Sequence, residues 1–321
     1  MSGACLLTGA AGFIGSHLAD RLLAMGLTVA GVDNLSLGKS SHLATAMQAR
    51  TFKFQELDVN DYPKFLDFAA EVHRQTPIQT IWHLAANSDI QAGGSNPDID
   101  LCSTFLTSFH SLKVAQQLGI PEFVLASTSA VYGAQDRELT EDGGPWFPIS
   151  NYGAMKLASE AALSSALERF LQRAWIFRFP NVVGSRATHG AIFDFVRKLR
   201  RTPHELEVLG NGSQEKPYLH VSELIEGMIH LWTSSRERLN YYNIAPDRGA
   251  TTVRHIAEET IRVVSPQASI RYTGGDRGWV GDVPRFRYSI DKLKASGWCP
   301  SLSSDEAVDR AIREVAAENP V

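Results

Sequence analysis

The sequence predicts an α/β protein with a doubly wound parallel sheet and a smaller C-terminal α/β lobe. Up to about residue 180, short β-rich runs alternate with segments of helical periodicity, joined by short linkers. A glycine-rich turn joins the first strand to the first helix. After that point, loops rich in Gly, Pro and Asn separate short elements. We therefore predict a first domain over 1–180 and a lobe over 181–321, with some segments crossing back.

The first strand, residues 4–7, leads into the segment TGAAGFIG and then into a helix ended by Gly26. Glycines in such a turn let the backbone approach a pyrophosphate, and the helix start offers free N–H groups. The second strand, residues 28–32, ends at Asp33, whose carboxylate accepts ribose hydroxyls and repels a ribose phosphate. This context predicts a Rossmann-type site for NAD rather than NADP, the alternative being a plain structural turn. The predicted contacts are Gly9, Gly12, Phe13, Ile14, Gly15, Asp33 and Asn34.

The third and fourth strands, at residues 52–54 and 78–83, are each followed by a short loop. Asp58 and Val59 follow the third strand and are predicted to lie near the adenine. The small segment Leu84, Ala85 and Ala86 follows the fourth strand and is predicted to pass beneath the cofactor. Loop packing is the alternative for both segments.

A helix is predicted over about 100–118, followed by a strand over 123–127 that leads to Thr128. The next helix, about 152–170, begins with Tyr152 and carries Lys156 one turn later, on the same face. A phenol tuned by an ammonium and a bound nicotinamide can act as a general base on an alcohol while the cofactor takes a hydride. Thr128 can hold the same oxygen. The alternative is a half-buried Tyr152 beside a solvated Lys156.

The segments TGAAGFIG, HLAAN, LASTSAVYG, YGAMK and FPNVVG resemble the NAD-dependent sugar-nucleotide epimerase/dehydratase family of extended short-chain dehydrogenases/reductases. The resemblance runs in order through nearly the whole chain. It implies a nucleoside diphosphate hexose as substrate, commonly a UDP-sugar, and the catalytic set Tyr152, Lys156 and Thr128. The substrate contacts that it implies or makes plausible are Asn87, Ser88, Thr128, Asn181, Lys216, Arg277 and Asp282.

The family's shared first step is oxidation at carbon 4 of the hexose. Its familiar 4,6-dehydratases carry Asp-Glu after the strand-end threonine, whereas this chain has Ser129-Ala130, which disfavours that reaction. A further similarity to UDP-GlcNAc 5,6-dehydratases of tunicamycin biosynthesis favours loss of water across carbons 5 and 6, with Cys102, Asn87 and Ser88 as possible contributors. UDP-hexose 4-epimerisation stays open, and so does a non-catalytic NAD-binding sensor.

Composition excludes several other classes of protein. The net charge of −4 gives no general attraction to nucleic acid or anionic lipid. No apolar run is long enough to span a membrane, and the start lacks the features of a signal peptide. Three dispersed cysteines and unpaired histidines indicate no disulfide framework and no metal site. We therefore expect a cytoplasmic enzyme. The resemblance also implies a homodimer formed through the helices at about 100–118 and 152–170.

Overall fold

The computed structural model describes residues 3–275 and 286–319. The chain forms two compact units. The first comprises Met1–Gly133, Pro145–Arg178 and Trp232–Tyr242, and the second comprises Ala134–Gly144, Phe179–Leu231 and Asn243–Val321. Each unit therefore draws on three separate stretches of sequence.

The elements are numbered in chain order. The strands are β1 Ala4–Thr8, β2 Thr28–Asp33, β3 Phe52–Glu56, β4 Ile78–His83, β5 Glu122–Thr128, β6 Arg173–Phe179, β7 Asn181–Val183, β8 Glu205–Val208, β9 Glu215–Lys216, β10 Tyr218–His220, β11 Leu239–Asn243, β12 Thr251–Thr252 and β13 Ser269–Tyr272. The α-helices are α1 Phe13–Ala24, α2 Tyr62–Gln75, α3 Ile90–Ser95, α4 Pro97–Asp100, α5 Thr107–Leu118, α6 Asn151–Arg169, α7 Ala191–Arg201, α8 Val221–Ser234, α9 Val253–Val264, α10 Asp291–Ala295 and α11 Ser304–Glu318. Short 3₁₀ helices cover Ser40–Leu43, Ala46–Gln48 and Ser129–Tyr132, and a π-helix covers Leu101–Leu106.

A seven-stranded sheet organises the first unit, in the order β3-β2-β1-β4-β5-β6-β11. The pairs β1–β2, β2–β3, β1–β4 and β4–β5 are parallel. The chain winds outward from β1 in both directions, so the predicted doubly wound fold is confirmed. In such sheets, ligands bind at the carboxyl ends of the strands where the winding reverses, here between β1 and β4.

Helices cover the strands because the central strands are apolar on both faces. All five residues of β1 are buried, as a parallel strand between two helical layers requires. A large hydrophobic core joins strand residues to apolar residues of α2, α5 and α6, among them Phe65, Leu112 and Leu163. Helix α6 starts at a side-chain cap, since the Ser150 hydroxyl accepts the Gly153 N–H at 3.1 Å. The cap fixes the helix start that carries Tyr152.

The region predicted as one helix over 100–118 is helical but not uniform. Helix α4 ends at Asp100, a π-helix follows over Leu101–Leu106, and α5 begins at Thr107. The π-helix shifts the side chains that follow it around the helix axis, and such segments often lie at functional sites. Gly119 closes α5 with a φ of 65°, as the sequence predicts.

Short elements build the second unit. Three two-stranded sheets pair β7 with β10, β9 with β12 and β8 with β13. Helices α7, α9 and α11 pack around a second hydrophobic core that includes Phe195, Ile256 and Ile312. A capping box starts α11, since Ser303 and Glu306 each bind the other's backbone.

Candidate active site

The glycine-rich turn between β1 and α1 is packed too tightly for side chains at two of its glycines. Gly9 has a φ of 73°, and a Cβ there would lie 2.8 Å from the Ala85 backbone nitrogen. At Gly15 a Cβ would lie 2.0 Å from the Gly9 carbonyl oxygen. These contacts bring the start of α1 directly against the ends of β1 and β4. Phe13 and Ile14 are half-buried in the first turn of α1.

Gly12 is different, because the space above it is open. A Cβ at Gly12 would meet a single neighbour, the Gly9 carbonyl oxygen at 3.2 Å. Gly12 is also the N-cap residue of α1, so free N–H groups and the positive end of the helix dipole face the same space. A side chain would enter this cradle, and the N–H groups and helix dipole there suit the charge of a pyrophosphate.

Asp33 lies at the end of β2 with its carboxylate directed at the glycine-rich turn. The Ala11 N–H donates to Oδ2 at 2.9 Å, and the Leu35 N–H donates to Oδ1 at 2.8 Å. Burial raises the pKa of Asp33, while these backbone donors oppose the rise. The Gly12 N–H is a third backbone donor, so one of the carboxylate's roughly four lone-pair sites is left for a ribose hydroxyl. Gly38 packs against both oxygens, because a Cβ there would lie 2.9 Å from each.

The other predicted cofactor residues divide between surface and core. The Asn34 amide donates to the exposed Asp58 carboxylate at 3.1 Å, so these two predicted residues are brought together. The Val59 side chain is buried in the hydrophobic core, so only its backbone can face a ligand. The Leu84 and Ala85 N–H groups donate to the backbone oxygen and the hydroxyl of Thr8, which sets this segment beside the glycine-rich turn, and Ala86 follows, half-buried.

A buried histidine lies beneath this segment and was not predicted as part of the site. His83 Nδ1 is 2.8 Å from the Thr8 hydroxyl and 3.1 Å from the Ser111 hydroxyl, and Nε2 is 3.0 Å from Ser108. Burial, assisted by the charge of Lys156, holds its pKa well below the usual range. His83 is therefore a neutral imidazole that ties β1 and β4 to α5.

Tyr152, Lys156 and Thr128 come together at the carboxyl end of β5. The Thr128 side chain lowers the pKa of the Tyr152 phenol. The Lys156 ammonium nitrogen lies 5.9 Å from the centre of the Tyr152 ring and donates to the Ala126 carbonyl at 2.7 Å. The lysine is almost completely buried. The structure thus assembles the phenol, ammonium and hydroxyl that the sequence predicts.

The protein alone does not make Tyr152 a base at neutral pH. Burial raises the pKa of the phenol to about 12, the hydrogen bond with Thr128 opposes this, and the charge of Asp100 adds to it. Lowering that pKa to 7 requires roughly 7 kcal/mol of preferential stabilisation of the phenolate. A cationic nicotinamide beside the phenol is a fitting source, since an opposite charge favours the ionised form. Burial lowers the pKa of Lys156 to about 8, and Glu160 opposes that change.

Among the predicted sugar contacts of this unit, Asn87 is held inside a polar cluster. Its amide donates to the Asp89 carbonyl and to Asp100 Oδ1, both at 2.8 Å. Ser88 and Cys102 are exposed. Asp100 was not predicted; it is inaccessible to solvent, and its Oδ2 has no hydrogen-bond partner among the described residues. Burial raises the pKa of this carboxyl.

Asp100 also touches the segment that holds the start of α6. A Cβ at Gly93 would lie 1.8 Å from Asp100 Oδ2, so the carboxyl rests against the Gly93 backbone. The Gly93 carbonyl accepts the Asn151 amide at 2.9 Å, and Asn151 immediately precedes Tyr152. Asp100 is thereby linked to the phenol through packing as well as through charge.

The second unit contains the other two described substrate candidates. Asn181, exposed on β7, pairs in register with Tyr218 of β10. Lys216 on β9 precedes that tyrosine by two residues and pairs with Thr251. The two candidates therefore lie on neighbouring stretches of one unit. Arg277 and Asp282 lie outside the described residues.

Comparison with known proteins places this arrangement in a family. The family model described as "NAD dependent epimerase/dehydratase family" matches residues 5–245. The chain belongs to this family. It is accordingly an NAD-dependent enzyme, and the glycine cradle with Asp33 fits that cofactor. NAD would be held by the glycine-rich turn and Asp33, and it would supply a reversible hydride acceptor.

Relatives and solved structures of this family match almost the entire chain. A UDP-glucuronate 4-epimerase of Thermodesulfobacterium geofontis is 25% identical over 316 residues, covering 96% of this chain and 94% of its own length. A UDP-galactose 4-epimerase structure is 32% identical with a TM-score of 0.84, covering 98% and 99%. The UDP-glucose 4-epimerase of Thermus thermophilus in complex with NAD is 26% identical with a TM-score of 0.83, covering 97% and 98%.

Two further structural findings concern the molecule as a whole. Among the described residues, no helix combines the length and the apolar character needed to cross a bilayer. No cluster of three metal-ligating side chains occurs over 3–275 and 286–319.

Proposed function

We propose that this enzyme removes water across carbons 5 and 6 of UDP-GlcNAc, with carbon 4 transiently oxidised and then reduced again. The sugar nucleotide would bind with its diphosphate near Asn181 and Lys216, whose amide and ammonium suit an anionic group. Arg277 and Asp282 remain sequence predictions for the same substrate. The three free cysteines favour a reducing, cytoplasmic compartment.

Tyr152 would take the proton of the carbon 4 hydroxyl as the hydride leaves, and Thr128 would hold that oxygen by hydrogen bonding. Lys156 keeps positive charge beside the phenol, which stabilises the phenolate. The resulting ketone makes the hydrogen on carbon 5 acidic. When the hydride returns to carbon 4, Tyr152 gives its proton back to the oxygen, so the first step is reversed without net consumption of cofactor.

Elimination needs a second group that transfers protons, so the proposal depends on a suitable side chain near Tyr152. The base must take the carbon 5 proton, and the hydroxyl on carbon 6 must gain a proton to leave as water. One carboxyl can do both, forming the carbon 5–carbon 6 double bond with no net change in its own protonation. Thr128 is followed by Ser129-Ala130, which supply no carboxyl. Asp100, a buried carboxyl with an unpartnered oxygen whose charge acts on Tyr152, is our candidate for this group. The Gly93 backbone covers that oxygen, so the role requires the segment around Gly93 to move aside when the sugar binds.

The second candidate function is 4-epimerisation of a UDP-hexose. Several relatives and solved neighbours are UDP-sugar 4-epimerases. Epimerisation needs Tyr152, Lys156 and Thr128 and a sugar that turns over between the two hydride transfers. It requires no carboxyl beside the phenol, so Asp100 would then have a purely structural role.

Product mass separates the two reactions. We expect incubation with UDP-GlcNAc or UDP-glucose and NAD to give a product lighter by one water from UDP-GlcNAc. An unchanged mass with a new NMR spectrum would instead establish epimerisation. Failure of either sugar to change in mass or spectrum would contradict both proposals for these substrates.

Asp100→Asn tests the assigned carboxyl. We expect the rate of water loss to fall by at least about 100-fold, the scale of losing a general base. Oxidation at carbon 4 should persist, seen as a rise in the absorbance of the reduced cofactor. Asp98→Asn, at an exposed position of the same short helix α4, is the matched control and should dehydrate normally. Normal water loss in Asp100→Asn would remove Asp100 from the mechanism.

A further inference from the structure

Helix α6 carries a third polar residue on the face that bears Tyr152 and Lys156. Glu160 follows Lys156 by one turn, so the three side chains lie on one face of the helix at successive turns. Three consecutive residues of β5 act on these three side chains. Ala126 accepts from Lys156 at 2.7 Å, and the Ser127 hydroxyl donates to Glu160 Oε1 at 2.5 Å. The Thr128 side chain lowers the pKa of the Tyr152 phenol.

Glu160 is held in a two-point ion pair with Arg178 of β6. Nε of the guanidinium donates to Oε1 at 2.9 Å and Nη2 donates to Oε2 at 2.6 Å. Both side chains are almost completely buried. The remaining guanidinium nitrogen donates to the Tyr132 hydroxyl at 3.1 Å, and the guanidinium lies 4.1 Å from the centre of the Trp146 ring. The carboxylate is therefore fixed by three donors and has little freedom to move.

Such a pair is hard to explain by stability alone. The cost of removing two charges from water often equals or exceeds their attraction, and apolar side chains of similar volume frequently serve as well. Burial lowers the pKa of Arg178, and the hydrogen bonds and charge of Glu160 more than offset this, so the guanidinium stays charged. The carboxylate that this guanidinium binds lies one helical turn from the buried Lys156.

The groups around Lys156 show what Glu160 does. Tyr152 and Glu160 lie on the same helix as Lys156, and Arg178 of β6 stands behind Glu160. His83 of β4 is the other titratable group nearby, since the charge of Lys156 helps to lower the pKa of its imidazole. Burial favours the uncharged amine, and Glu160 is the carboxylate that opposes this effect. We propose that Glu160, anchored by Arg178 and Ser127, is a positioning residue that keeps Lys156 charged and aligned with Tyr152. This proposal rests on the function proposed for that pair.

Glu160→Gln removes the charge while keeping the shape and one acceptor for Arg178. The Lys156 ammonium loses a stabilising carboxylate, so its pKa should fall by about one pH unit, the low end of the effect of a nearby opposite charge. Because activity needs the ammonium form, the alkaline limb of the pH–rate profile should move to lower pH by the same amount. Glu168→Gln is the matched control, since Glu168 lies on the same helix in an exposed pair with Arg238.

The decisive measurement is the titration of the Lys156 Cε–Nζ NMR signal in NAD-saturated protein labelled with ¹³C,¹⁵N-lysine, assigned with Lys156→Arg. We expect Lys156 to have the same pKa in the wild type and in Glu168→Gln, and a lower pKa in Glu160→Gln. If Glu160→Gln does not fold, Glu160→Asp serves instead, because its side chain is one methylene shorter and holds the charge farther from Lys156. The pKa of Lys156 in Glu160→Asp should then lie slightly below the wild-type value. Wild-type titration of Lys156 in the folded Gln or Asp variant would overturn the proposal.

The NMR titration does not depend on the sugar. If Lys156 titrates as expected but no UDP-sugar is converted, the proposed reaction fails and the role of Glu160 stands. If product forms but the titration does not change, the role of Glu160 fails and the reaction stands.

Discussion

In the protein without bound cofactor, the surroundings of Tyr152 keep its phenol protonated. Its use as a base therefore depends on the positive charge of a bound nicotinamide. Replacing it with Phe removes the acceptor for the carbon 4 proton and retains the packing of the ring. We expect Tyr152→Phe to lower turnover of the accepted sugar nucleotide by at least about 100-fold. Tyr242→Phe, which removes a hydroxyl 3.3 Å from Ser235, is the control and should react normally. Near-normal turnover in Tyr152→Phe would reject its role as base.

Residues of the site differ in how visible they are in sequence. Tyr152 and Lys156 are visible because their chemistry depends on spacing within one helix, and Asp33 because it ends a strand after a glycine-rich turn. Glu160 resembles any solvated helix charge, since its partner Arg178 lies on a different element. Asp100 was missed for the same reason: its burial arises from Gly93 and Asn87, which reach it through the fold.

At the scale of elements, the turn between β1 and α1 depends on two glycines in different ways. Gly15 allows the helix to touch the strand end, where a Cβ would lie 2.0 Å from the Gly9 oxygen. Gly15→Ala should therefore lower the free energy of unfolding by roughly 2 kcal/mol through overpacking. Gly12→Ala has more room and should fold nearly normally but bind NAD at least about tenfold more weakly, a loss of roughly 1.4 kcal/mol.

Thermal unfolding and NAD titration measure these two effects separately. Gly94→Ala, in helix α3, is the control, because outside its chain neighbours and its own helix backbone nothing lies within 4 Å of the added Cβ. It should leave NAD affinity unchanged and not lower stability, since Ala suits a helix better than Gly. Equal stability of Gly15→Ala and the wild type would contradict the packing argument, and normal NAD affinity in Gly12→Ala would contradict the cradle.

Element types and their order follow from periodicity, but irregularities within them do not. The helix predicted over 100–118 contains the π-helix Leu101–Leu106. A π-helix changes the hydrogen-bond partner of each residue without changing which residues are apolar, so a pattern of hydrophobicity cannot reveal it. It begins directly after Asp100 and ends before Thr107, so it sets how the side chains of α5 are turned relative to that carboxyl.

For the whole molecule, the sheet order was predictable because right-handed crossovers leave few ways to connect alternating strands and helices. The division of the chain is less visible, since Trp232–Tyr242 joins the first unit and Ala134–Gly144 the second. Such returns depend on contacts between distant segments, which local patterns do not encode. The single boundary predicted near residue 180 stays a prediction.

The assembly of two chains is the remaining property at this scale. The sequence predicts a homodimer through the helices at about 100–118 and 152–170. The first of these carries exposed apolar side chains: Leu101 is 42% and Phe109 is 44% exposed, and the Phe109 ring lies 6.3 Å from that of Phe105. A second copy that covers this face would remove these side chains from water, a gain proportional to the apolar area buried.

Light scattering should therefore report twice the 35.3 kDa chain mass at working concentration. Phe109→Glu places a charge in the predicted interface and should shift the mass toward that of a single chain, because an unpaired buried charge strongly opposes association. Met47→Glu replaces a side chain that is 60% exposed and far from both helices in sequence, so it should stay dimeric. A single-chain mass for the unmodified protein would reject the dimer. A dimer that survives Phe109→Glu would move its interface away from α5.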